Sequence, residues 1–172
     1  MVMKRENKQK QGKKAFTLIE LMLYISILAV ILGAIGSLFW LSLQARVKNQ
    51  TISEVEQQGE QVMDVILQTV RNADTIVSPT PGNSQATLTV QKSGVSTVFA
   101  LDTGKMTIVE GATAPVLLST PKVEISDLTF TNMAEAGTNG IIRVQFTIQY
   151  TTTSTRSEYS YSKIFYGSAA RR

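Results

Sequence analysis

Hydrophobic and polar positions divide the chain into four successive stretches. Residues 1–15 are mostly polar, whereas residues 21–43 form an apolar run without a charged side chain. At about 1.5 Å per residue, this run is long enough to cross the roughly 30 Å hydrocarbon core of a bilayer as one helix. Beyond it, apolar residues first recur every three or four positions and then alternate. The pattern predicts a leader at 1–15, a transmembrane helix half at 16–43, an amphipathic helix half at 44–77 and a β-rich head at 78–172.

The third stretch has the spacing of a helix that buries one stripe of side chains. Its apolar positions are Ile52, Val55, Val62, Ile66, Val70 and Ala73. Gly59 occupies the position between Val55 and Val62 where the spacing would place another apolar side chain. Such three-and-four spacing is typical of a helix that packs on a core. The segment 78–82, Ser-Pro-Thr-Pro-Gly, is expected to end it. A coiled coil would need more heptads than are present, so packing against the following β-rich segment is favoured.

The fourth stretch alternates with a period of two. Strands at 88–90, 95–101 and 106–108, joined by turns at Ser93-Gly94 and 102–104, predict a three-stranded meander. A second strand group is expected at 116–118, 123–125, 128–130, 144–150 and 159–166, with long loops at 111–115 and 134–140. One amphipathic helix packed on an antiparallel β-sheet head gives an α+β fold class.

Charge is concentrated in the leader. Residues 1–15 carry six Lys and Arg residues and one acidic residue, Glu6. The positive-inside rule keeps such a segment in the cytoplasm and sends the head to the extracytoplasmic side of the membrane. Residues 44–172 hold 11 basic and 11 acidic side chains. Because this part is neutral, direct nucleic-acid binding is not expected.

Composition argues against catalytic chemistry. The chain has no Cys and no His, which removes disulfides, thiolate metal sites, the commonest metal ligand and the commonest general base. The acidic residues of the head are dispersed and lack the density of a calcium loop; they include Asp102, Glu110, Glu124, Asp127 and Glu135. We therefore expect neither an enzyme nor a cofactor or metal site.

Glu20 is the one carboxylate at the membrane end of the apolar run. Inserting a charged side chain costs about 2.5 to 3.5 kcal/mol near the centre of a membrane helix and less near an interface. A carboxylate at the position of Glu20 is therefore expected to have an interaction partner or a function. A secretory signal peptide explains the segment poorly, because the apolar run is too long and Ser42-Leu43-Gln44-Ala45 is a weak cleavage site. A plain membrane anchor leaves Glu20 unexplained.

The basic leader, Ala15, the sequence Phe16-Thr17-Leu18-Ile19-Glu20 and the long apolar run together resemble the class III signal of type IV prepilins and pseudopilins. The resemblance implies cleavage by a prepilin peptidase between Ala15 and Phe16, followed by N-methylation of Phe16. It also implies a pilin-like layout, with the long helix packed on the head. The chain departs from the family in having Ala15 where Gly is most frequent.

Cleavage would place a new α-amine four residues from Glu20 on the same helical face. Glu20 can then neutralise the Phe16 amine of its own chain, or that of a neighbouring subunit and so set the offset between helices. The family implies the pairing between subunits. The alternative is a capping box in which Thr17 is the N-cap and Glu20 only starts the helix. Both roles can coexist.

Small residues recur in the apolar run with a spacing of four. Ala29, Gly33 and Ser37 follow the small-xxx-small pattern that allows membrane helices to approach closely. They are the candidates for helix packing between subunits. The alternative is that small residues are simply common in transmembrane helices.

These features predict a structural subunit, a minor pilin or pseudopilin of a type IV pilus-like or type II secretion filament. The implied partners are the prepilin peptidase, other pilin or pseudopilin subunits, an inner-membrane assembly platform and membrane lipid. The expected location is the cytoplasmic membrane, with a single pass, before incorporation into the filament. Two alternatives stay open: a competence pseudopilin for DNA uptake, and a membrane-anchored extracytoplasmic binding module.

Overall fold

The computed structural model describes residues 17–135, 140–152 and 156–171. Described residues before Gln44 and those from Gln44 onward form two compact units, and every strand belongs to the second. The chain order is α1 (Leu18–Arg71), β1 (Thr75–Ser78), β2 (Ser84–Gln85), β3 (Leu88–Lys92), β4 (Val95–Asp102), β5 (Lys105–Glu110), β6 (Val116–Leu117), β7 (Val123–Asn132), β8 (Ile141–Tyr150), a 3₁₀ helix (Ser157–Tyr159) and β9 (Ser162–Ala170).

Within the second unit, α1 buries the stripe that its spacing predicts. Val55, Val62, Ile66 and Val70 are fully buried, and Ile52 is half-buried. The helix also buries three residues that the spacing did not predict: Thr51, Gln58 and Met63. Two of these are polar, and each finds a hydrogen bond. The Thr51 hydroxyl donates to the Val47 carbonyl at 3.1 Å, and Gln58 Oε1 accepts from the Thr120 N–H at 3.2 Å.

The helix ends earlier than predicted. It stops at Arg71 instead of residue 77, and β1 occupies Thr75–Ser78, which the prediction had placed largely in the helix. Residues 75–77 are Thr-Ile-Val, and such β-branched side chains favour a strand. A long-range contact fixes the change of direction, because the Asp74 N–H donates to the Gln91 carbonyl at 2.8 Å. The proline-rich segment therefore follows a strand, and the head begins before residue 78.

The strands form two antiparallel sheets. The first has the order β1-β3-β4-β5-β6 and the second the order β2-β7-β8-β9. The predicted meander is β3-β4-β5, and both of its turns lie where the sequence placed them. In each two-residue turn both central residues have positive φ, at Ser93-Gly94 and at Thr103-Gly104. This is the backbone of the type I′ hairpin, which suits the twist of antiparallel strands.

The second strand group is arranged differently from the prediction. The strand β6 pairs with β5 and so belongs to the first sheet. It is two residues long and lies between Pro115 and Pro121; proline has no N–H to extend a ladder, which suits the end of a sheet. The two segments predicted at 123–125 and 128–130 are one strand, β7, whose register shifts around Asp127. The α+β class is confirmed, with two sheets where one was expected.

Two glycines, Gly59 on α1 and Gly167 on β9, allow the helix and this strand to approach closely. A Cβ atom added to Gly59 would lie 2.1 Å from the Phe165 ring, and one added to Gly167 would lie 2.4 Å from the Met63 sulfur. Phe165 in turn stacks on Phe146 with ring centroids 5.7 Å apart. The absence of two side chains therefore permits this approach of α1 to β9, and both Met63 and Phe165 belong to a single apolar cluster.

Charged side chains join the helix to the sheets at the rim of this core. Lys163 pairs with Glu56 at 2.7 Å, and Lys122 pairs with Glu54 at 3.3 Å. The Lys48 ammonium donates to two carbonyl oxygens at the 3₁₀ helix, 3.2 Å from Ser157 and 2.9 Å from Ser160. Each of these contacts links α1 to a segment more than 60 residues away in the sequence.

We expect the Lys163–Glu56 pair to leave a signature in the alkaline unfolding of the head. The hydrogen bond to Glu56 raises the pKa of Lys163 above 10.5, against an opposing effect of desolvation. A raised folded-state pKa gives stability that is present below 10.5 and lost as the pH rises through the folded-state value. Unfolding midpoints of the wild type and Lys163→Met should therefore converge at high pH. Lys122→Met, which keeps the Lys163–Glu56 pair, should still lose stability over this pH range as the wild type does. If the difference in unfolding midpoint between the wild type and Lys163→Met stays constant across the range, the Lys163–Glu56 pair is not the cause.

Candidate processing and assembly segment

Thr17 starts the long helix. Its side-chain oxygen accepts a hydrogen bond from the Glu20 N–H at 3.3 Å, and its carbonyl accepts from the Leu21 N–H at 3.1 Å. A hydroxyl that accepts from the residue three positions on is the defining contact of an N-cap, because the first N–H groups of a helix have no partner within the helix. Thr17 thus makes the cap contact that the capping-box alternative assigns to it. The helix begins at Leu18, two residues after the predicted cut.

The Glu20 carboxylate makes a different contact from the one a full capping box requires. In a capping box the carboxylate returns to the backbone of the cap residue. Here the Tyr24 hydroxyl donates to Glu20 Oε1 at 3.2 Å, one helical turn further along the chain. The i, i+4 spacing of Glu20 and Tyr24 is visible in the sequence and could have identified this partner. The sequence does not single out Tyr24, because a tyrosine within an apolar run is most simply interpreted as part of the transmembrane segment.

The two residues at the predicted cut, Ala15 and Phe16, lie outside the described residues. Cleavage between them, methylation of Phe16 and pairing of Glu20 with an amine stay predictions from the sequence. What the structure describes is the beginning of the helix immediately downstream. The cap at Thr17 belongs to the part of the chain that cleavage would retain.

The apolar half of the helix exposes its large side chains around its whole circumference. The residues from Leu18 to Leu43 include Trp40, which is 58% exposed, and Val30, which is 73% exposed. Within the described residues, α1 is the one helix long and apolar enough to cross a membrane. A helix that is apolar on all sides needs an apolar environment, and this one is located at the N-terminal end of the chain.

The small residues of this half have no packing role within the described chain. Apart from the neighbouring backbone of its own helix, a Cβ atom added to Gly33 or Gly36 would meet no described atom within 4 Å. The Ser37 hydroxyl donates to the Ala34 carbonyl of its own helix at 2.8 Å. Close packing through Ala29, Gly33 and Ser37 therefore stays a prediction about contacts with other helices.

Acidic residues of the head are scattered. Among residues 17–135, 140–152 and 156–171, no three Asp or Glu side chains are grouped as a metal site would require. Glu124 instead accepts a hydrogen bond from the Gln149 amide at 3.3 Å, on the outer side of the second sheet.

Comparison with known families gives one match in this segment. A family model described as the prokaryotic N-terminal methylation motif matches residues 10–36. The matched range contains the end of the basic leader, Ala15, Phe16, Glu20 and residues 21–36 of the apolar run. No curated protein and no solved structure gives a significant match. The motif thus bears on the N-terminal segment, and no match bears on the head.

Proposed function

Because the chain is a member of the type IV prepilin and pseudopilin family by its N-terminal segment, we propose that it is a minor pilin or pseudopilin of a type IV pilus-like or type II secretion filament. A prepilin peptidase removes residues 1–15, and the mature subunit leaves the membrane by packing its N-terminal helix among those of its neighbours. The main support for this proposal is the methylation motif at residues 10–36, which includes the start of an exposed apolar helix.

The architecture supports a structural subunit. One continuous helix, α1, contains an exposed apolar half and an amphipathic half that anchors the head. Such a subunit can exchange lipid around its apolar half for the helices of other subunits. The segment that follows the apolar run, residues 44–172, is neutral, and its strands are two to ten residues long. Its neutrality supports a structural role without direct contact to DNA, whichever filament it joins.

Mass spectrometry of the protein extracted from membranes tests the processing step. In cells with an active prepilin peptidase we expect a mature chain that begins at Phe16 and carries one methyl group on its α-amine. Cells without the peptidase should hold the chain that begins at Met1. An intact Met1 terminus in peptidase-positive cells would contradict the proposal and favour the membrane-anchored binding module.

A matched pair of substitutions at Ala15 locates the cut. Ala15→Gly introduces the residue most frequent in the family and should be processed at least as completely as the wild type. Ala15→Leu places a bulky side chain at the same position and should leave most of the chain uncut. Equal processing of the two variants, or cleavage after Gly12, would exclude the assignment of the bond between Ala15 and Phe16.

The type of filament is tested separately by deletion of the gene. Loss of protein secretion or of surface fibres is expected for the proposed filament types. Loss of transformation alone, with secretion and fibres unchanged, would assign the subunit to a DNA-uptake filament. The processing test is independent of this outcome because all three filaments use the same signal.

A further inference from the structure

The contact between Tyr24 and Glu20 places a hydroxyl donor inside the apolar run. Tyr24 follows Glu20 by four residues, and its hydroxyl lies 3.2 Å from Glu20 Oε1. Other hydroxyls in the run donate to the helix backbone, as Ser26 does to the Leu23 carbonyl at 2.9 Å and Ser37 to the Ala34 carbonyl. Tyr24 differs from these serines because its hydroxyl bonds a side chain, the Glu20 carboxylate, for which the sequence predicts docking onto the amine of a neighbouring subunit.

We infer that Tyr24 is a positioning residue for subunit assembly, whose hydroxyl holds the Glu20 carboxylate for the amine of a neighbouring subunit. This inference rests on the proposed function. An ionised carboxylate accepts about four hydrogen bonds, so the phenol does not compete with an ammonium group for the site. Glu20 Oε2 accepts no hydrogen bond from any described residue, which leaves that oxygen available to a cation.

The direction of the contact distinguishes the two amines that Glu20 could bind. Phe16, the source of an amine in the same chain, precedes Glu20 by four residues, whereas Tyr24 follows it by four. Because long helical side chains lean toward the N-terminus, the Tyr24 ring reaches back over Glu20, and its hydroxyl holds Oε1 from the C-terminal side. An oxygen held from that side is not offered to an amine four residues earlier in the chain, which favours pairing between subunits.

The surroundings increase the effect of one hydroxyl. In the apolar run a carboxylate cannot obtain the hydrogen bonds that water would supply, so a single donor limits the orientations that Glu20 adopts. Hydrogen bonds between side chains in membranes typically change an equilibrium by about threefold, and by up to roughly twentyfold. Removal of the phenol hydroxyl should change assembly within that range, less than removal of Glu20.

Two measurements on the mature chain, residues 16–172, test the inference. The first is the carboxyl carbon resonance of Glu20 in lipid vesicles, identified by its loss in Glu20→Gln. Tyr24→Phe should move this resonance, because it removes the hydroxyl and keeps the ring. The matched control Ser26→Ala, which removes a hydroxyl bonded to the backbone, should leave the resonance in place. An unmoved resonance in Tyr24→Phe would overturn the inference without reference to any filament.

The second readout is incorporation into filaments alongside wild-type subunits. We expect Tyr24→Phe to be processed normally and incorporated about threefold to tenfold less than the wild type, with Ser26→Ala unaffected. Normal incorporation of Tyr24→Phe, with Glu20→Ala impaired, would overturn the positioning role and leave the docking role of Glu20 intact. Normal incorporation of Glu20→Ala would overturn both, because Tyr24 would then have nothing to position.

Discussion

Glu20→Ala is expected to leave cleavage and membrane insertion intact and to reduce incorporation into filaments by roughly tenfold or more. Removing one partner of a desolvated charge pair leaves the other charge unpaired, which costs several kcal/mol in typical cases, and each 1.4 kcal/mol or so changes an equilibrium about tenfold. The measurement is the fraction of variant recovered in sheared filaments from cells that also express the wild type, relative to the fraction retained in the membrane.

The cap at Thr17 provides the control for this prediction. Thr17→Ala removes the hydroxyl that accepts the Glu20 N–H and keeps the carboxylate. Loss of an N-cap costs about 0.5 to 2 kcal/mol of helix stability, but it should affect incorporation far less than Glu20→Ala does. If the two variants incorporate equally well, Glu20 acts only at the start of the helix and has no role in docking.

Gly59→Ala is expected to destabilise the head by about 1–3 kcal/mol, although alanine favours a helix over glycine. The new Cβ would lie 2.1 Å from Phe165 Cζ and within 2.6 Å of two further ring atoms. Excess volume in a packed core typically costs about 1–3 kcal/mol and sometimes more, whereas the gain in helix propensity is only about 1 kcal/mol. Thermal unfolding of the full chain in detergent should show a lower midpoint, by roughly 3–5 °C for each kcal/mol.

A double-mutant cycle with Phe165 separates crowding from other causes. In a Phe165→Ala background the ring is absent, so Gly59→Ala should be neutral or should stabilise the head by up to about 1 kcal/mol. Gly59→Ala thus destabilises the head when Phe165 is present and does not destabilise it when Phe165 is replaced by alanine. Gly36→Ala, which adds a methyl group where no described atom lies within 4 Å apart from the neighbouring backbone of its own helix, should leave unfolding of the head unchanged. An equal loss in both Phe165 backgrounds would refute the crowding explanation.

The buried stripe of α1 shows where periodicity succeeds. The spacing predicts four fully buried residues, Val55, Val62, Ile66 and Val70. Successive members are four residues apart, except that Gly59 lies between Val55 and Val62. Gln58 could not, because its burial depends on a backbone N–H supplied by Thr120, a residue in a distant loop. Local spacing therefore identifies the apolar part of a helix face, and the polar residues on the same face require knowledge of their partners.

The end of the helix shows the opposite case. Pro79 and Pro81 are strong breakers, and they were predicted to end α1, but the chain had already left the helix at Arg71 to form β1. The decisive interactions are hydrogen bonds to β3, which lies beyond the prolines in the sequence. Likewise, Gly59 was recognised as a gap in the stripe, whereas the ring of Phe165 that fills this gap lies in the last strand.

The N-terminal methylation motif and the helix that follows it could be predicted from the sequence alone, because the order of charge, small residue, phenylalanine, carboxylate and apolar run is local along the chain. The α+β class could be predicted as well, since the periods of helix and strand are local properties. The division into two sheets and the close packing of Gly59 against the Phe165 ring could be known only from the three-dimensional structure. These depend on which groups meet in space, and the periodicity of one segment carries no information about the groups that it will meet.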